Sequence, residues 1–129
     1  MSASKGNIVV VEDDPAMRLA LGRFLKACGF RAQGFDSAEE LLEDGAAANA
    51  SCLIVDIHLT GLSGFELLKE LRKRGTERPT IFITADEDSS LPSRYPKAAG
   101  FLTKPFVGAR LLAAIREALE VSVESKVSL

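Results

Sequence analysis

The fold class of this chain follows from the stretch Asn7-Ile8-Val9-Val10-Val11-Glu12-Asp13-Asp14-Pro15. Its first part is a nearly continuous β-branched run, which is typical of a strand buried on both faces of a parallel sheet. Asp14 and Pro15 then predict the start of a helix, with Asp14 as the N-cap and Pro15 at the first helical position. A buried strand that passes through acidic residues directly into a helix indicates an α/β protein.

Strand-like and helix-like segments continue to alternate to the end of the chain, which predicts a five-stranded parallel sheet with helices on both faces. The second helix is expected to open with a capping box in Ser37-Ala38-Glu39-Glu40. The segment 86–99 contains Pro92 and Pro96, and a proline inside a helix costs about 3 kcal/mol. The fourth helix is therefore predicted to be short or irregular. Strands are expected at 7–12, 31–35, 52–56, 81–84 and 100–103, and the last helix at 107–124.

Composition narrows the class of protein further. The chain has 129 residues with 47% hydrophobic and 26% charged side chains, which predicts one globular domain. We expect it to span residues 7–124, between disordered tails at 1–6 and 125–129. A net charge of −2 argues against direct nucleic-acid binding. Two cysteines cannot form a disulfide framework or a four-cysteine zinc site. No stretch predicts a signal peptide or a membrane span, so a cytoplasmic protein is expected.

Polar residues follow the predicted strands at the edge where α/β proteins bind ligands. These residues are Glu12, Asp13 and Asp14 at the first strand, Asp56 at the third, Thr84 at the fourth and Lys104 just after the fifth. If the strand order is 2-1-3-4-5, the first and third strands are neighbours and their carboxylates converge. Such carboxylates repel one another unless a cation or a proton neutralises them, and Mg²⁺ suits oxygen ligands of this kind. A carboxylate beside Mg²⁺ and a lysine is a plausible nucleophile toward phosphorus, which suggests formation of an aspartyl phosphate.

This pattern resembles the response-regulator receiver domain of two-component signalling, over residues 7–122. The matching features are the acidic pair after the first strand, Asp56 after the third, Gly64 eight residues later, Thr84-Ala85, and the run 98–106 that contains Lys104-Pro105. The resemblance implies a flavodoxin-like fold with strand order 2-1-3-4-5. Met17 falls on an apolar helix position of the family, and this selects Glu12 and Asp13 as the acidic pair.

The resemblance also implies a role for each site residue. Asp56 would be the phosphoacceptor. Mg²⁺ would be held by Asp13, by Asp56 and by the backbone carbonyl of His58, with Glu12 assisting through water. Lys104 would contact the phosphoryl group, next to a peptide bond before Pro105 that is often cis in the family.

A conformational switch and a set of partners are implied by the same resemblance. Thr84 would move toward the phosphoryl group and Phe101 would turn inward. The donor would be the phosphohistidine of a sensor histidine kinase or a phosphotransfer protein. The domain would catalyse only its own phosphorylation and dephosphorylation, and would not be a metabolic enzyme. Its output would come from a partner protein or from an output domain outside this chain, and a homodimer formed on phosphorylation is left open.

Several features depart from the family pattern or leave alternatives open. Leu59-Thr60 stands where the family often has Met-Pro, and the spacing from Thr84 to Lys104 is shorter than usual. His58 and Asp86 occupy positions that flank the phosphoryl group and would tune its lifetime. One alternative is a receiver-like interaction module that is not phosphorylated. A second is a small aspartate-dependent phosphohydrolase, although the chain leaves no room for a substrate-binding cap.

Overall fold

The structure is a computed structural model that describes residues 5–85 and 90–127, with side chains up to residue 120. Strands and helices alternate along it. The strands are β1 (Asn7–Val11), β2 (Arg31–Phe35), β3 (Cys52–Asp56), β4 (Thr80–Thr84) and β5 (Gly100–Thr103). The helices are α1 (Pro15–Ala27), α2 (Ala38–Asp44), α3 (Gly64–Lys73), α4 (Leu91–Arg94) and α5 (Gly108–Val127). A short 3₁₀ helix, Ala46–Asn49, lies between α2 and β3.

The five strands form one parallel sheet in the order β2-β1-β3-β4-β5, as predicted. β1 lies beside β3 with Val11 opposite Val55, and β3 lies beside β4 with Asp56 opposite Ile83. The residues that follow β1 and those that end β3 therefore reach the same edge of the sheet. Thr84 pairs with Thr103 at the end of β5, which brings Lys104 to that edge too.

Two hydrophobic clusters cover the two faces of the sheet. Successive residues of a strand point to opposite faces, so the β-branched run of β1 supplies both clusters. Val9 and Val11 join the cluster under α2 and α3, whereas Ile8 and Val10 join the cluster under α1 and α5. The helices contribute Leu41, Leu67 and Leu71 on the first face and Leu21, Leu25, Leu111 and Ile115 on the second.

Helix caps follow the sequence in one case and depart from it in another. The side chain of Asp14 accepts a hydrogen bond from the amide of Ala16 at 3.1 Å, so Asp14 is the N-cap of α1 as predicted. At α2, Ser37 accepts from the amide of Glu40 at 3.1 Å, but the Glu40 carboxylate accepts from the amide of Asp36. The reciprocal capping box is formed at α3, by Ser63 and Glu66, where the sequence analysis did not place one.

Some boundaries also differ from the expected ones. β1 ends at Val11 and not at Glu12, and α5 continues to Val127, beyond the expected end at residue 124. The amide of Lys5 donates to the carbonyl of Gly29 at 3.0 Å, so the described part of the expected N-terminal tail is hydrogen-bonded to the domain. The fourth helix has four residues, which confirms the prediction of a short helix. Within 5–85 and 90–127, no helix has the length and apolarity needed to cross a membrane.

Burial predicts very different reactivity for the two thiols. Cys52 is fully buried in β3, and this burial raises the pKa of its thiol to about 12. The thiolate is the reactive form, so in a Cys28→Ser variant we expect Cys52 to resist alkylation until the protein unfolds. The measurement is the rate of modification by a thiol reagent with and without denaturant. Fast modification of the folded variant would contradict the position of β3 at the centre of the sheet.

Candidate phosphoacceptor site

Three carboxylates meet at the carboxyl edge of the sheet. Glu12 and Asp13 follow β1, Asp56 ends β3, and one carboxylate oxygen from each lies within 4.8 Å of the others. Glu12 is fully buried and Asp56 is 6% exposed, whereas Asp13 is exposed. The predicted convergence of these acids is therefore present in the structure.

Lys104 connects two of these acids. Its ammonium Nζ lies 2.6 Å from Oε1 of Glu12 and 2.9 Å from Oδ2 of Asp56. Its backbone amide donates to the carbonyl of Thr84 at 2.7 Å, which holds the lysine at the end of β4. The Lys104–Pro105 peptide bond is cis. Partial burial lowers the pKa of Lys104, but its hydrogen bonds to Glu12 and Asp56 outweigh that effect and raise the pKa overall.

The site carries more negative than positive charge. The pKa of Glu12 is raised to about 7, mainly by burial; the hydrogen bond from Lys104 opposes the rise, and the neighbouring Asp56 adds to it. One ammonium faces three carboxylates, and their oxygen atoms are of the kind that Mg²⁺ prefers. The donor set and its charge therefore fit a divalent cation held by Glu12, Asp13 and Asp56.

The loop after β3 orients Asp56. The amide of His58 donates to Oδ1 of Asp56 at 2.9 Å, and the amide of Gly64 donates to the carbonyl of Ile57 at 3.0 Å. The side chain of His58 is exposed. A Cβ atom at Gly64 would lie 2.7 Å from the carbonyl oxygen of Asp56. Glycine is thus required at the start of α3 because this backbone packs directly against the end of β3.

The predicted switch residues are Thr84, which lies at this edge, and Phe101, which lies beside it on β5. Thr84 is buried at the end of β4. Phe101 is half-buried on β5, and its ring centroid lies 5.7 Å from that of Phe82. Asp86, predicted to flank the phosphoryl group, lies outside the described residues.

The sequence analysis missed Arg18, which supports the acidic pair. Its guanidinium Nη1 donates to the backbone carbonyl of Glu12 at 2.7 Å. The aliphatic part of the Arg18 side chain passes over Gly34 of β2, where an added Cβ would lie 3.0 Å from the Arg18 Cγ. A glycine inside a strand indicates close approach by a neighbouring group, so Gly34 was the available signal for this contact.

Two further contacts that the sequence did not predict hold the neighbouring loop. The hydroxyl of Thr60 donates to Oδ2 of Asp13 at 3.4 Å, which links the loop to the acidic pair. The carboxylate of Glu39 on α2 accepts from the amide of Leu62 at 3.2 Å. Thr60 is one of the two positions where the chain departs from the common Met-Pro, and here it supplies a polar contact.

A parallel sheet in this order, with buried acids and a lysine at its carboxyl edge, defines a CheY-like α/β domain with a phosphoacceptor-type site. The sequence matches the family model of the response regulator receiver domain over residues 8–116. The chain belongs to this family.

Known relatives and solved structures agree with this assignment. The chain is 38% identical over 117 residues to the transcriptional regulatory protein FixJ of Azorhizobium caulinodans, covering 89% of this chain and 56% of that protein. It thus spans about half the length of the curated relatives it matches. The solved structure of the response regulator StyR superposes with a TM-score of 0.82 at 34% identity, covering 93% of this chain and 62% of that one.

A second similar structure was solved with a bound ligand. The response regulator TrrA from Thermotoga maritima, in complex with Mg(2+)-BeF, superposes with a TM-score of 0.77 at 27% identity, over 88% of this chain and 98% of that one. Receiver domains bind Mg²⁺ at an acidic pocket, which in this chain corresponds to Glu12, Asp13 and Asp56.

The close approach at Gly64 generates a testable prediction. Gly64→Ala should lower the free energy of unfolding by about 1–3 kcal/mol, because the new methyl group forces apart α3 and the end of β3. Gly22→Ala is the matched control, since nothing lies within 4 Å of a Cβ at that position in α1. The control should raise stability by up to about 1 kcal/mol. Denaturant unfolding measures both, and equal stability of the two variants would contradict the packing at Gly64.

Proposed function

We propose that this receiver domain accepts a phosphoryl group on Asp56 and that phosphorylation changes its binding to a partner. The observation that carries the proposal is the ammonium of Lys104 placed 2.9 Å from the Asp56 carboxylate, inside a cluster with Glu12 and Asp13. The donor in this proposal is the phosphohistidine of a sensor histidine kinase or a phosphotransfer protein.

The proposed reaction is a phosphoryl transfer between two protein side chains. A carboxylate oxygen of Asp56 forms the new P–O bond while the P–N bond of the donor phosphohistidine breaks. The electron pair of that bond stays on the imidazole nitrogen of the donor. Lys104 neutralises charge on the phosphoryl oxygens as it develops, and the amide of His58 keeps the Asp56 carboxylate oriented.

We propose Mg²⁺ as the cofactor of this step. Asp13, Asp56 and the backbone carbonyl of His58 would hold it, with Glu12 assisting through water. When bound, Mg²⁺ supplies positive charge against the oxygens of the transferring group. The excess of carboxylate over ammonium in the site supports this assignment.

The proposed switch involves Thr84 and Phe101. An aspartyl phosphate adds negative charge at the edge where Thr84 ends β4, and the Thr84 hydroxyl can donate to one of the phosphoryl oxygens. Phe101 is partly buried against Phe82, so an inward turn of its ring needs only a local change in packing. A local charge change of this kind can bias a two-state element.

We propose the cellular compartment and the kinds of partner, without naming individual proteins. The domain works in the cytoplasm, catalyses its own phosphorylation and dephosphorylation, and does not itself bind nucleic acid. The resemblance to FixJ, named as a transcriptional regulatory protein, supports an output through a separate protein or through an output domain outside this sequence. Homodimerisation on phosphorylation is one form that this output can take.

The acceptor is tested by intact mass after incubation with acetyl phosphate. We expect one Mg²⁺-dependent phosphoryl adduct on the wild type and none on Asp56→Asn, because the amide oxygen is a poor nucleophile. The variant should retain the fold, which circular dichroism checks. A stoichiometric adduct on Asp56→Asn would show that another residue is the acceptor.

The same experiment, together with an assay of phosphate release from small phosphate esters, separates the alternatives. If the wild type forms no adduct, even with phosphoramidate as donor, the result favours an interaction module that is not phosphorylated. Continuous release of phosphate from small esters, abolished in Asp56→Asn, would favour the phosphohydrolase. A single stable adduct without such turnover supports the receiver function.

Two adjacent acids should respond differently to substitution. Asp13→Ala should weaken Mg²⁺ binding strongly because it removes a ligand, with little change in thermal stability. Asp14→Ala should lower stability by about 1 kcal/mol because it removes the N-cap of α1, with little change in Mg²⁺ affinity. Calorimetric Mg²⁺ titration and thermal unfolding of both variants test this pair, and the reverse ordering would shift the assignment of the metal ligands by one residue.

A further inference from the structure

A groove lies between α3 and the segment that follows α4. It has a volume of about 360 Å³ and is lined by residues of α3 and of the segment 94–98. Phe65, Leu68 and Tyr95 supply its apolar part, with the rings of Phe65 and Tyr95 stacked at a centroid distance of 3.3 Å. None of these residues belongs to the phosphoacceptor site.

The short fourth helix explains why this groove is open. α4 has only four residues, with Pro92 inside its first turn and Pro96 two residues after its end. A helix of one turn covers little of the sheet face that it crosses. Phe65 and Tyr95 therefore remain half-buried at the edge of the hydrophobic cluster under α2 and α3.

The rim of the groove is basic. The basic residues of the rim are exposed: Lys69 and Arg72 on α3, Arg94 at the end of α4, and Lys97 after it. No acidic residue is among the described residues that line the groove. Arg72 already pairs with Glu77 at 3.1 Å, which leaves the lysines as the simplest contacts for a ligand. The chain as a whole carries a net charge of −2, so this surface has the opposite sign to the whole molecule.

We propose that this groove docks an acidic segment of a partner protein, with one apolar side chain of that segment packed against Phe65 and Tyr95. Opposite charges across an interface steer association and fix its orientation, while a buried apolar contact supplies affinity. The inference goes beyond the phosphoacceptor function, because it assigns a binding surface that does not depend on modification of Asp56.

A peptide suits the groove better than a nucleic acid does. Single-stranded nucleic acids bind through bases that stack on open aromatic rings. The ring of Tyr95 already stacks on Phe65, and the guanidinium of Arg94 lies over it at 5.5 Å from the centroid. The net negative charge of the chain also disfavours a long polyanion.

The test uses a fluorescent synthetic peptide in which Asp and Glu residues flank a central Phe, titrated with the unphosphorylated full chain. Fluorescence anisotropy should show saturable binding that weakens as salt is added. The double variant Lys69→Glu/Lys97→Glu should bind about tenfold more weakly, because two attractive charges become repulsive. The matched control Arg23→Glu/Arg116→Glu, exposed on the helices of the opposite face, changes the net charge equally and should bind like the wild type.

The other outcomes overturn the proposal. Equal weakening in both double variants would mean that the peptide responds only to net charge. Unchanged binding when the central Phe of the peptide is replaced by Ala would show that the apolar part of the groove does not contribute to binding. Equally effective competition by a single-stranded oligonucleotide would assign the surface to nucleic acid. None of these readouts requires Asp56 phosphorylation, so they are independent of the test of the receiver function.

Discussion

The ammonium of Lys104, held between Glu12 and Asp56, is the interaction on which the site depends. Two carboxylates buried at one edge of a sheet repel each other, and burial is the main reason that the pKa of Glu12 is raised to about 7. Lys104 offsets part of this cost through contacts of 2.6 and 2.9 Å. The remaining negative charge fits a divalent cation, so the same arrangement of charges supports the proposed phosphoryl transfer.

The fold was largely predictable because its signals are local and repeated. The β-branched run of β1, the Asp14-Pro15 helix start and the two prolines near α4 each act through neighbouring residues, and the structure confirms the elements they predict. The site residues were also identifiable, since they follow strands at positions that a parallel sheet brings together. Their proximity is present in the structure, while their roles stay predictions until the acceptor is tested.

Contacts from long polar side chains to backbone groups were not predictable in the same way. The side chains of Arg18 and Glu39 form hydrogen bonds to backbone groups. Gly34 indicates that a neighbouring group approaches β2, but no sequence pattern identifies the backbone atom that a long polar side chain will reach. The capping box illustrates a second limit. Both Ser37 and Ser63 precede a glutamate at the right spacing, and only the local backbone decides that Glu66 reciprocates while Glu40 bonds to Asp36.

The long separation between Glu12 and Lys104 has a consequence for biosynthesis. The two residues are 92 positions apart, and β5 joins the sheet beside β4, the last neighbour in the strand order. A chain emerging from the ribosome exposes its acidic residues well before the lysine that pairs with them has been made. Nascent or prematurely terminated chains that lack β5 and Lys104 therefore leave these carboxylates without their ammonium partner, and the proposed phosphoryl transfer requires the completed domain.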